Sequence, residues 1–145
     1  MSLHPQLIGP VPEETARVAR LALSKENLYV RRREEPGTIY EDEQFAALFP
    51  HRGRPAEAPW RLALVCIMRY IEGLSDRQEA SAVRCRLDWK YLLGLELSDP
   101  GFDFSVLTEF RARLVQGQAE RLLLDRLLEC CKQRGWRKRT WKTTD

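Results

Sequence analysis

His4 and His51 are the only imidazoles in this 145-residue chain, and each stands beside a proline. A general base needs its imidazole held by a third group. Loop histidines next to proline are by default only solvated. The chain carries no glycine-rich phosphate loop and no His-Glu-x-x-His. Its many carboxylates sit at helix starts or beside arginines, where they favour the helix dipole or pair along a solvated face. Cys66, Cys85, Cys130 and Cys131 form no Cys-x-x-Cys pair and have no histidine cluster to complete a zinc set. Cys66 lies in an apolar run and reads as a small core residue. No self-contained active site and no metal site is expected.

Binding is the better-supported chemistry. The stretch "DPGFDFSVLTEFRARL", Asp99 to Leu114, opens as a turn and continues as a helix carrying Arg111 and Arg113. With Val106, Leu107, Phe110 and Leu114 facing inward, both arginines flank the apolar stripe, within reach of phosphates. The competing reading pairs Arg113 with Glu109 at i, i+4 on a solvated face. A second group is the tail, where Trp136 and Trp141 interleave with Arg137, Lys138, Arg139 and Lys142. Such a pattern stacks on bases while neutralising phosphates, or else belongs to a linker whose tryptophans pack on another domain. Arg52 and Arg54, in a proline-rich loop, are outlying candidates.

The elements that position these residues are all helical; no alternating strand pattern stands out. Pro12, Glu13 and Glu14 start a helix running to about Leu23, with Val18 and Leu21 on its apolar side. The segment "ENLYVRRREEPGTIY" reads as extended or irregular, with Pro36-Gly37 as a turn. A short helix is expected from Asp42 to Phe49. The strongest pattern opens at Pro59 and closes at Gly73, with Trp60, Leu64, Ile67, Met68 and Ile71 at helical spacing. Ser75 and Gln78 form a capping box for the next helix, whose buried side carries Ala80, Val83 and Leu87. Asp88 is expected to cap a short helix that ends at Gly94. Ser105 is the expected cap of the arginine helix, which Gly117 terminates. A last helix runs from about Ala119 to Arg134, with Gly135 at its end. "GLSDRQ" and "FDFSVL" each open a helix, suggesting a helix-turn-helix-like arrangement, although "DWKYLLGLELSDPGF" intervenes.

These elements predict an all-α compact bundle of about six helices with helix-turn-helix-like elements. One domain spans residues 1–135, with its core at about 40–134, and a basic tail follows at 136–145. Hydrophobic residues make up 43% and charged residues 31%, enough for a packed core with solvated outer faces. The net charge of +3 is uneven: residues 132–145 carry +5, leaving −2 on the rest. Positive charge therefore acts locally, in the tail, at Arg31 to Arg33, and on single helix faces. No apolar run is long enough to span a bilayer, no secretory signal opens the chain, and a cytosolic protein with free thiols is expected.

The ordered series "RGRP", "YIEGLSDRQ" and "DWKYLLGLELSDPGFDFSVLTEFRARL" resembles the N-terminal domain of bacterial insertion-sequence transposases of the DDE class. The family pattern Asp-x-Ser-x-Leu-x-x-Phe-Arg is met by Asp103, Ser105, Leu107, Phe110 and Arg111. The match covers about Arg52 to Leu114. The resemblance implies an all-helical domain that recognises the element's terminal inverted repeats. It also implies a following ribonuclease-H-like domain whose three carboxylates bind two divalent metals such as Mg. Here the sequence ends "KTTD", and Asp145 is the single candidate for the first of those carboxylates. The expectation is a truncated transposase that binds DNA and has no catalysis or cofactor of its own. Two rivals are a helical oligomerisation module that pairs with itself or with full-length transposase, and a non-functional pseudogene product.

Overall fold

The computed structural model describes residues 8–34, 37–49 and 57–133, of which 130–133 are described by their backbone alone. His4, His51, Arg52, Arg54, Pro36, the side chains of Cys130 and Cys131, and the tail from Arg134 to Asp145 lie outside the described residues. Among the described residues the fold is entirely helical. It comprises α1 (Glu13–Ala22), α2 (Leu28–Glu34), a 3-10 helix (Asp42–Leu48), α3 (Pro59–Glu72), α4 (Asp76–Cys85), α5 (Leu87–Leu93), α6 (Phe104–Gln116) and α7 (Glu120–Gln133).

The core helix is α3, which buries Trp60, Leu62, Ala63, Leu64, Val65 and Met68. Its proline start removes an amide that has no intrahelical acceptor, and its end falls on Gly73 in the left-handed conformation. The first turn is also tied from outside, because the Trp60 amide donates to the Asp42 carboxylate at 3.2 Å. The 3-10 helix sends Phe45 inward against Phe110 of α6, with ring centroids 5.7 Å apart at 65°. Tyr40 lies 6.2 Å from Phe45, and its hydroxyl donates to the Leu123 carbonyl of α7 at 2.6 Å. These rings join three elements that are far apart in sequence.

A second packed region surrounds α5. Trp89 is fully buried and meets Tyr29 of α2 edge-on, at 6.1 Å and 74°. Arg33 of α2 donates to the Leu92 carbonyl at 3.1 Å and the Gly9 carbonyl at 2.7 Å. Thr15 of α1 donates to the Leu95 carbonyl at 2.7 Å. One of the three consecutive arginines is thus committed to holding α2 against the end of α5.

Several expectations are corrected. The segment expected to be irregular contains α2, although few apolar residues mark it; only Tyr29 of its seven residues is buried. Its helix is stabilised by packing on α5 rather than by a sequence stripe of its own. Leu21 and Ile71, expected on buried faces, are 76% and 56% exposed; the described structure packs nothing over them. Asp88 does not cap α5. The cap position is Arg86, and Asp88 accepts from the Trp89 amide at 2.9 Å and from the Arg86 guanidinium.

Candidate functional site

The capping box at the start of α4 forms as the sequence implies. The Gln78 amide donates to Ser75 Oγ at 3.2 Å, and the Ser75 amide donates to Gln78 Oε1 at 2.8 Å. This fixes the rotation of α4, whose inner side carries Glu79, Ala82 and Val83, all buried. Glu79 is fully buried. Burial pushes its carboxyl above the usual range, against the pull of Arg111.

Arg111 of α6 answers that carboxylate. It donates to Glu79 at 3.0 Å and to Asp76 at 2.9 Å. Asp76 is shared with Arg69 of α3 at 3.1 Å. The network joins α3, α4 and α6 and occupies the Arg111 guanidinium. Beside it the Cys66 thiol is pushed up to about 11 by burial, so it stays protonated and non-nucleophilic at neutral pH.

Arg113 points to a different neighbour. It pairs with Glu109 at 3.2 Å in the i, i+4 arrangement and donates to the Leu48 carbonyl at 3.3 Å. Its guanidinium lies 4.8 Å from the centre of the Phe49 ring, and its Nε is buried without a hydrogen-bond partner among the described residues. The structure therefore places both helix arginines in contacts within the fold.

The outer face of α4 differs. Arg77, Ser81 and Arg84, at i, i+4 and i+7, are all exposed. Neither arginine has a carboxylate partner among the described residues. With them, the 100–104 turn encloses a groove of about 590 Å³, lined also by Ala80, Phe102 and Phe104. The turn is held in place from beneath. The Gly101 amide donates to the Asp99 carboxylate at 2.8 Å, and the buried Lys90 ammonium donates to the Asp99 carbonyl at 2.6 Å. Gly101 adopts a φ of +77°, and a Cβ there would come within 3.1 Å of Val83 Cγ1 and 3.3 Å of the Arg84 nitrogen. Only glycine fits that close approach in that conformation.

A family model of a transposase domain (DUF772) matches residues 25–113, more than half of the chain and every residue that lines the groove. The chain belongs to this family. No curated protein and no solved structure matches it significantly. The matched part of the transposase domain runs from just before α2 into α6, so it includes α4, the groove and Arg111.

Ser105, expected to cap α6, is not its cap. The helix starts one residue earlier, at Phe104, with Asp103 in the cap position. The Ser105 hydroxyl instead donates to the Asp103 carboxylate. That bond, with the first amides of the helix, holds the Asp103 carboxyl below its usual range. Arg77 and Arg84 were missed by sequence reasoning. The available signal was their seven-residue spacing on a helix with a clear capping box. Among the described residues no cluster of three or more His, Cys, Asp or Glu side chains can hold a metal ion, and no helix is long and apolar enough to cross a membrane.

Proposed function

We propose that this transposase domain is the DNA-binding N-terminal part of a DDE-class transposase, recognising the element's terminal inverted repeats without catalysis of its own. The observation that carries this reading is the distribution of guanidinium groups. Arg69, Arg111 and Arg113 are paired within the bundle, whereas Arg77 and Arg84 project from one exposed face. Cations left unpaired two helical turns apart suit two phosphates of a DNA backbone. Arg52, Arg54, Arg137, Lys138 and Arg139 add phosphate contacts from the loop and the tail in this reading. Arg111 and Arg113 serve the site by holding α6 against α4 and the 3-10 helix.

The test is a titration of labelled element-end duplex and scrambled duplex with the purified chain, between about 50 and 200 mM salt. The expected result is tighter binding to element ends and affinity that falls steeply with salt. The Arg77→Ala, Arg84→Ala double variant should lower the salt slope by about 2. Equal, negligible binding to both duplexes would sink the reading.

A second reading is favoured by one observation. Tyr70 and Ile71, at the end of α3, are 87% and 56% exposed. Adjacent exposed apolar side chains suit a helical module that pairs with itself or with full-length transposase. Its test is the mass in solution across concentration; a monomer throughout, with no association with full-length transposase, rejects it.

A further inference from the structure

We propose that the groove between α4 and the 100–104 turn holds an unpaired DNA strand, with two phosphates on Arg77 and Arg84 and a base on Phe104. This rests on the DNA-binding reading and makes it more specific.

Three observations carry it. The first is shape: the site is a concave space of about 590 Å³, a size that ligand sites commonly have. A duplex backbone is a convex surface that does not fill such a space. The second is charge. Arg77 and Arg84 are separated by two helical turns, about 10 Å along the axis, so each guanidinium reaches a different phosphate, with the exposed Ser81 hydroxyl between them. One carboxylate, Asp103, also lines the groove. It is engaged by the Ser105 hydroxyl and the first amides of α6 and stays ionised, so the two guanidinium groups against one carboxylate leave the groove walls with a net positive charge.

The third observation is the apolar surface. Phe104 is 45% exposed, although it is the first residue of α6 and the helix has a full inward stripe without it. Ala80, Pro100 and Phe102 continue the apolar lining. A paired strand presents sugars and phosphates and gives an exposed phenyl ring little to cover. An unpaired strand presents base faces, which stack on aromatic rings independently of sequence. Arginines that hold the backbone beside a ring that takes a base are the combination by which single strands are held.

The experiment uses the full chain and fluorescence anisotropy with three probes: a blunt element-end duplex, a short oligothymidylate, and an oligomer of the same length made of abasic residues. The expected result is that oligothymidylate binds and the abasic strand binds at least tenfold more weakly. Phe104→Ala should weaken oligothymidylate about tenfold and leave the blunt duplex unchanged. Phe104→Leu keeps apolar volume without a ring face and should behave like the alanine variant; circular dichroism checks that both fold. Arg77→Ala with Arg84→Ala should weaken both strand types. Abasic and thymidine strands binding alike, or both Phe104 variants binding oligothymidylate like the parent, would overturn the groove assignment while duplex binding keeps the broader reading intact. No binding to any probe overturns both.

Discussion

At the residue scale, Arg111 is engaged inside the fold. Its partners Glu79 and Asp76 lie 32 and 35 residues away in sequence, and Glu79 is fully buried. Removing one member of such a pair leaves a buried charge uncompensated. Arg111→Ala is therefore expected to lower stability by about 3 kcal/mol in urea denaturation, and adding Glu79→Gln should recover part of the loss. A loss within about 0.5 kcal/mol, as for an ordinary surface change, would show that the network does not support the fold. The two serines make a matched comparison. Ser75 accepts a backbone amide in a complete capping box, so Ser75→Ala should cost about 1 kcal/mol. Ser105 bonds only the exposed carboxylate of Asp103, the residue in the cap position, and Ser105→Ala should cost clearly less in the same assay.

At the scale of elements, Glu72 is the joint between α2, α3 and the start of α5. Its carboxylate accepts from the Tyr29 hydroxyl, the Arg86 guanidinium and, at 3.1 Å, the Trp89 indole. Partial burial works against the charged form, but those hydrogen bonds prevail and hold the carboxyl below the usual glutamate value of 4.5. A carboxyl lowered in the folded state contributes stability that is present above 4.5. The contribution is lost as pH falls through the lower folded value. Thermal melts from neutral to acidic pH should show a falling melting temperature in that window. Glu72→Gln should be less stable at neutral pH and flatter below it; parallel pH profiles would reject the assignment. The same joint bears on why α2 was hard to read: its sequence "LYVRRRE" has one buried ring, and although Asn27 caps it by accepting the Tyr29 and Val30 amides at 3.0 and 3.3 Å, its packing comes from Trp89 and the carbonyl of Leu92.

For the whole molecule, the aromatic contact between the 3-10 helix and α6 ties two elements distant in sequence through the core. Phe45 is fully buried between Tyr40 and Phe110. Phe45→Ala should destabilise by about 3–5 kcal/mol, the usual cost of emptying such a site, read as a shifted urea midpoint. Because the 3-10 helix also supplies Asp42 to the first turn of α3, the same variant should loosen amide protection at that turn.

Local chemistry in the sequence determined the helices that carry their own signals. Proline at the start of α3, the Ser75–Gln78 box, and glycines closing α3 and α5 act within a few residues, so their effects are readable in order along the chain. Helical spacing likewise placed Leu107, Phe110 and Leu114 on the inner side of α6. The family was legible for the same reason, since its motifs are short and ordered. Tertiary structure decided which exposed faces remain free. Ile71 and Leu21 match a buried pattern but meet no covering element among the described residues, and Arg111 and Arg77 are the same residue type on neighbouring helices. One faces a buried carboxylate and the other a groove, because ion pairing depends on distances across the fold that spacing along a chain does not contain.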